Sequence, residues 1–246
     1  MNTLQLTLKK PFKNPKEHVS EIVSKLTKEM ESYPTPSVTM ISWQNSPYKV
    51  LVSCLLSLRT RDPTTIEVAK KLFEIADTPE KMDKLPLEEV EGLIRRVNLY
   101  KGKARNLLAL NKIILEKYNG KVPDTMEELL AFKGVGRKTA GITLLYGHNQ
   151  KEISIPVDTH VHRTANRIGF VKTKMPDDTK QALLKLVPKK QWWEYNNTFV
   201  TFGQNICNPI TPKCGRCSIT EYCSYFNKSI KPILVKHPEK ASKVGF

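Results

Sequence analysis

No apolar run in this chain approaches the roughly 20 residues that a bilayer-spanning helix needs. The first residues, MNTLQLTLKKPFKNPKEH, hold neither an apolar core nor a small-residue cleavage site. These absences exclude a membrane span and a secretory signal, and the chain is expected to be intracellular, in the cytoplasm or nucleoid, with no membrane partner. Alternation of polar and apolar residues is nearly missing, which argues against a sheet. No internal repeat or low-complexity segment is present, so a solenoid and a disordered tract are excluded as well. Acidic residues are scarce: 24 Asp and Glu stand against 40 Lys and Arg, a formal charge of +16 at pH 7. That excess favours a polyanionic partner through counterion release, nucleic acid before an acidic membrane surface, although solvated lysines alone would give the same sum. Cysteine is sparse until the last fifth of the chain, where Cys207, Cys214, Cys217 and Cys223 crowd together. In a reducing compartment such a cluster points to a metal site and not to disulfides.

What is present reads almost throughout as helix. A length of 246 residues can bury a sizeable core in one large domain or two modest ones. Val19, Ile22, Val23, Leu26 and Met30 recur at helical spacing before Pro34 and Pro36 end the run. The nearly all-apolar stretch from Tyr48 to Leu58, with Cys54 inside it, predicts a buried helix and a buried thiol. Asp62 and Pro63 predict an N-cap and first-turn proline, Thr78-Pro79 opens a short helix, and Thr125 with Glu128 forms a capping box. Gly147 and Gly169 close two further helices. The fold class is therefore all-α with short loops. A composition shift near Pro156 marks the expected domain boundary, and the basic, proline-interrupted end, NKSIKPILVKHPEKASKVGF, predicts a loosely docked tail.

Three local patterns carry chemistry. In AFKGVGRKTAG, two helices are joined through Lys133, Gly134, Val135, Gly136 and Arg137. Glycines allow positive φ and close approach, so the unpaired N–H groups opening the second helix can converge on a phosphate while the valine plugs the gap between helices. A tight αα turn would use the same residues for structure alone. Lys138 then sits near the positive end of a helix dipole; in a desolvated cleft its amine would become a nucleophile. Twenty residues on, IPVDTHVHR places Asp158 at the expected N-cap of the next helix, where an ionised carboxylate could also steady an oxocarbenium ion or assist deprotonation of an attacking amine. His160 and His162, two residues apart, point to different faces and are read as structural. The third pattern is C-x6-C-x2-C-x5-C, which fits a structural zinc or an iron–sulfur cluster; a single C-x2-C knuckle and wide steps suit the bulkier [4Fe-4S] group better. Lys213 and Arg216, within that loop, could touch phosphates.

Taken together, LLAFKGVGRKTAG, VDTHVHR and the four-cysteine loop resemble the endonuclease III family of DNA glycosylases in the helix-hairpin-helix superfamily, over roughly residues 17 to 226. The resemblance implies two all-α domains with DNA between them: a six-helix barrel over 43–156 carrying the hairpin, and a [4Fe-4S] cluster domain from 1–42 and 157–228, followed by a basic tail, 229–246. Lys138 matches the family's catalytic lysine and Asp158 its aspartate, which implies a bifunctional glycosylase and AP lyase acting as a monomer on double-stranded DNA with damaged bases or abasic sites. The implied substrates are oxidised pyrimidines, flipped out of the duplex before attack. A monofunctional mismatch glycosylase and a non-catalytic DNA-binding module are the alternatives, and the lysine argues against both. One departure bears on specificity: in LLSLRTRD, Arg59 stands where bacterial relatives typically carry the glutamine that fills the gap left by the flipped base. The Lys138 to Asp158 interval also looks a little longer than in bacterial relatives, and NPITPK is less basic than in some.

Overall fold

Amphipathic spacing decides where each helix forms and which face it buries. The computed structural model describes residues 3–36 and 45–246, and among these residues there are helices and turns but no β-strand. In chain order the first helices are α1 (Thr3–Lys9), α2 (Val19–Met30), α3 (Pro47–Ser57), α4 (Asp62–Ile75), α5 (Pro79–Asp83), α6 (Leu87–Leu93) and α7 (Tyr100–Tyr118). They are followed by α8 (Met126–Leu130), α9 (Arg137–Ile142), α10 (Thr159–Ile168), α11 (Pro176–Leu186), α12 (Trp192–Asn205) and α13 (Lys231–Lys236). None among the described residues is long and apolar enough to cross a membrane. The chain divides into two compact units, Pro36–Pro156 and Met1–Thr35 with Val157–Phe246. The expected boundary between residues 42 and 43 lies outside the described residues.

In Pro36–Pro156, α3 is the axis. Leu51, Val52, Leu55 and Leu56 pack into the main core with Val68, Leu72, Leu107, Leu110, Phe132, Val135 and Ala140. Val50 and Cys54 pack on another side with Ile142 and Tyr146. A helix apolar all round must be enclosed, and burying each such side chain contributes on the order of 2 kcal/mol. Tyr48 donates to Asn111 at 2.9 Å and Asn111 donates to the Pro79 carbonyl at 3.0 Å, so α3, α7 and the start of α5 are tied by satisfied buried polar groups. Asp62 is not the N-cap: Arg61 holds that place in extended conformation without a side-chain cap, and Asp62 stands in the first turn, where its charge still complements the helix dipole.

In the other unit, α12 packs on both α2 and α10. Its Tyr195 and Phe199 rings stack 4.0 Å apart, and Thr27 of α2 shares a 3.0 Å hydrogen bond with Thr198. The end of the chain corrects the expectation of a loose tail. Leu234 of α13 is buried beside Cys214 and Phe226, and Leu4, Leu8, Ile230, Val244 and Phe246 pack around them. Pro232 and Pro238 do not break helices here. Each lies in the first turn of its helix, where proline forfeits no intrahelical hydrogen bond. A Cβ on Gly215 would collide with the Gly245 carbonyl and the Phe246 amide nitrogen, so glycine at 215 is what lets the C-terminus close over the cysteine loop.

Candidate functional site

The hairpin turn runs from Ala131, which caps α8, to Gly136, which caps α9. Its two glycines do different work. Gly134 has φ +86°, a conformation any side chain would strain, whereas Gly136 is extended and a Cβ there would meet open space. The expectation that both glycines supply positive φ is corrected for Gly136: the fold does not demand its bareness. Val135 is buried in the core and donates its N–H to the Phe132 carbonyl at 3.1 Å, which pins the turn. Gly136 offers no side-chain cap to the N–H groups that open α9, and Lys133 and Arg137, on either side of the turn, are exposed.

Lys138 is the second residue of α9, and its side chain is exposed. Its neighbour is Cys54 of α3, a buried thiol that burial pushes up to about 12 while the Lys138 charge pulls the other way. Cys54 is thus an inert wall beneath the lysine, as expected from its place in the apolar run.

Arg59 lies in the loop between α3 and α4, exposed and at φ +57°. A second exposed side chain, Leu99 at φ +58°, opens α7 nearby, and it was not singled out from the sequence. Non-glycine residues rarely adopt this region, and each costs on the order of 1 kcal/mol unless its surroundings impose it. Asn98 supplies part of that imposition: its side-chain amide donates to the Arg59 carbonyl and its N–H donates to Thr60 Oγ1 at 3.2 Å. Lys103, in the first turn of α7, supplies more. Its Nζ donates to the carbonyls of Leu56 at 2.6 Å and Leu58 at 2.7 Å and to Thr60 Oγ1 at 3.2 Å. An exposed leucine and an arginine, both strained and joined by one polar clasp, form a two-pronged tip.

Asp158 lies in the other unit. It is extended, as an N-cap should be, and accepts the Val161 N–H at 2.9 Å to open α10. His162 Nδ1 is 2.6 Å from Thr179 Oγ1 and His160 Nδ1 accepts from Arg163 at 3.2 Å, so both histidines have the structural roles expected of them. Two arginines one turn apart on α10 anchor it to the cysteine loop. Arg163 donates to the carbonyls of Cys207 and Gly203, and Arg167 donates to those of Asn208 and Pro209, each at 2.6 Å, with its guanidinium 4.7 Å from the Tyr225 ring centre. The i, i+4 arginine pair in HVHRTANRI is the signal that could have found this anchor.

Cys207, Cys214, Cys217 and Cys223 line one pocket, otherwise walled mainly by Ile168, Phe202, Ile206, Pro212, Ile219 and Phe226. Burial pushes the thiols of Cys214 and Cys223 up to about 12, with further upward pull from neighbouring cysteines. What sets these thiols apart from the lone buried Cys54 is that four of them line a single pocket, the donor set that a thiolate-bound metal group uses. Among the described residues no three His, Cys, Asp or Glu side chains are disposed around a single ion. Of the two basic residues in the loop, Arg216 is exposed, while Lys213 is half-covered by Gly245.

Residues 52–189 match the family model of the HhH-GPD superfamily of base excision DNA repair proteins. Endonuclease III of Thermotoga maritima is 43% identical over 185 residues, covering 75% of this chain and 86% of the relative. The chain belongs to the endonuclease III family. Endonuclease III of Escherichia coli K12 is 34% identical over 203 residues, which is 82% of this chain and 94% of that one. Among solved structures, a trapped covalent intermediate of endonuclease III with DNA superposes with a TM-score of 0.75 at 30% identity, covering 87% of this chain and 98% of that one. The all-α helix-hairpin-helix architecture is therefore that of this endonuclease III family, and Lys138 lies within the matched span.

Proposed function

We propose that this chain is a bifunctional DNA glycosylase and AP lyase of base excision repair, with Lys138 as nucleophile and Asp158 as its acid–base partner. The observation that carries the reading is the lysine at the second position of α9, on a hairpin turn built to leave helix N–H groups bare, in a chain 43% identical to an endonuclease III. Gly136 supports it: neither the backbone nor the packing requires glycine, but a phosphate approaching the α9 N-terminus would. The Gly134–Arg137 backbone and Lys133 hold a phosphate without reading sequence, Arg216 and Lys213 add charge, and Arg59 with Leu99 enters the space vacated by a flipped base. Lesions that pair poorly cost least to flip, and oxidised pyrimidines are the proposed substrates.

In the reaction, DNA binding excludes water from the exposed Lys138, and the neutral amine attacks the sugar C1′. The C1′–base bond breaks as the C1′–Nζ bond forms, and the base leaves with a proton. The Asp158 carboxylate, positioned by the hydrogen bond from the Val161 N–H, stabilises the cationic sugar, accepts the amine proton and passes it to the departing base. Ring opening gives an imine, loss of a C2′ proton expels the 3′ phosphate, and hydrolysis frees Lys138. The four cysteines share one apolar pocket, and their C-x6-C-x2-C-x5-C spacing suits a [4Fe-4S] cluster. Cys207, Cys214, Cys217 and Cys223 would hold the cluster through their thiolates, and those bonds would fix the loop that carries Arg216.

Borohydride reduction tests the lyase assignment. Wild-type protein is expected to become covalently joined to a duplex with an abasic site, and Lys138→Ala to lose that adduct entirely while still binding the duplex. Adduct formation by Lys138→Ala would assign the nucleophile elsewhere, and base release without strand cutting by wild type would make the enzyme monofunctional.

A further inference from the structure

Lys103 is only 9% exposed, yet among the described residues no carboxylate pairs with it. Burying an ammonium without a counter-charge is costly unless its hydrogens find acceptors. What the ammonium holds is the carbonyl of Leu56, at the end of α3, and then the carbonyl of Leu58 and hydroxyl of Thr60 on either side of Arg59. Its own backbone N–H donates to the Leu99 carbonyl at 3.1 Å, closing the first turn of α7 directly behind the second strained residue. The Lys103 side chain fixes the loop that presents Arg59 through Nζ, and through Thr60 it reaches the Asn98–Leu99 turn as well; the main-chain bond to Leu99 is one that any residue at 103 would make. Thr60 Oγ1 is shared, since it also accepts the Asn98 N–H at 3.2 Å.

The geometry points to Lys103 as a positioning residue for lesion recognition, one that holds Arg59 and Leu99 in their left-handed conformations so that both reach the gap in the duplex together. The inference rests on the reading that these two side chains enter that gap. A merely structural lysine would weaken all DNA binding or none. A positioning lysine weakens binding only where a gap has to be filled, and only while the prongs are present.

The test is a cycle of affinities measured with the purified full-length protein, on duplexes with and without an uncleavable abasic-site analogue. Lys103→Met is expected to weaken binding to the abasic duplex by about tenfold and to the intact duplex by less than about twofold. The double variant Arg59→Ala, Leu99→Ala is expected to give a comparable selective loss, and adding Lys103→Met to it to change little more. Lys103→Arg, which keeps the charge, should restore part of the selectivity. If Lys103→Met lowers both affinities alike, or its loss adds in full to that of the double variant, the positioning role is wrong. If the double variant itself leaves abasic-duplex binding unchanged, it is the gap-filling reading that fails. Thr60→Val covers the case in which Lys103→Met does not fold: it removes one of the three acceptors and should give a smaller loss, about threefold, confined to the abasic duplex. A Thr60→Val protein with unchanged selectivity would then overturn the proposal.

Discussion

The hairpin at 133–137 and the two-pronged tip at Arg59 and Leu99 both present groups outward from one packed unit, and they do so by opposite means. In the hairpin the single left-handed residue is Gly134, and Val135 sinks into the core as the anchor. At the tip, two residues with full side chains occupy the same backbone region, and Asn98 and the buried Lys103 hold them there. The hairpin presents main chain, so it can be made of residues that fit without strain. The tip must present side chains, so glycine is unavailable and the strain has to be met by polar contacts from elsewhere. A device that binds every phosphate alike can be relaxed; one that must sense a missing base is built under tension.

Substituting the glycines breaks this comparison most directly. Gly136→Ala should leave stability unchanged, because the backbone is extended and the new methyl meets open space, while weakening binding to any duplex by about tenfold as the methyl crowds the phosphate. Gly134→Ala should do the reverse in stability, lowering it by about 1 kcal/mol because φ is +86° there. Thermal unfolding and titration with undamaged duplex separate the two. Equal melting temperatures for both variants would show that the turn is not pinned as described.

The same contrast explains what could be read from the residues. The apolar run that became α3, the α2 stripe from Val19 to Met30 and the Asp158 cap each follow from neighbours within a few positions, and the structure repeats them. The hairpin was legible because glycine is itself a local signal. Lys103 and Leu99 were not, since NLYKGK shows nothing special until Leu56, Leu58 and Thr60 arrive from more than 40 residues upstream. The C-terminal tail was misread because its prolines look like breaks in sequence, and only packing against Leu4, Leu8 and Cys214 shows them as helix starts. Local chemistry writes itself into short patterns, whereas strain imposed by distant contacts does not.

Relieving the tension should sharpen the point at a smaller scale. Arg59→Gly removes a left-handed side chain and is expected to raise stability by about 0.5 kcal/mol, the relief of strain being partly offset by the freer unfolded glycine. The gain should come with loss of preference for abasic over intact duplex, the exchange of stability for function expected at a strained site. A variant that is destabilised, with its preference intact, would show Arg59 to be neither strained nor used.

The smallest expected effect is a slope with pH, and it follows from the buried brace. Burial lowers the Lys103 pKa from its ordinary 10.5 to about 8, and the carbonyl oxygens that accept its hydrogens are what keep the ammonium in place at neutral pH. Between those two values the unfolded chain binds more protons at this position than the folded one, so its contribution to stability rises with pH across that window and is least below it. Relative to Lys103→Met, wild-type protein should therefore gain in denaturation midpoint between about pH 8 and about pH 10.5. The neutral amine still has two hydrogens for three oxygens, so the same change should loosen the tip while it stabilises the fold. Hydrogen-exchange protection at Asn98 and Thr60 over that range, with the base-catalysed intrinsic rate divided out, would read the loosening. A flat difference in midpoint, with exchange unchanged, would mean that the ammonium is solvated and braces nothing. The hairpin should show no such change in its protection, which is the sharpest form the contrast between the two regions takes.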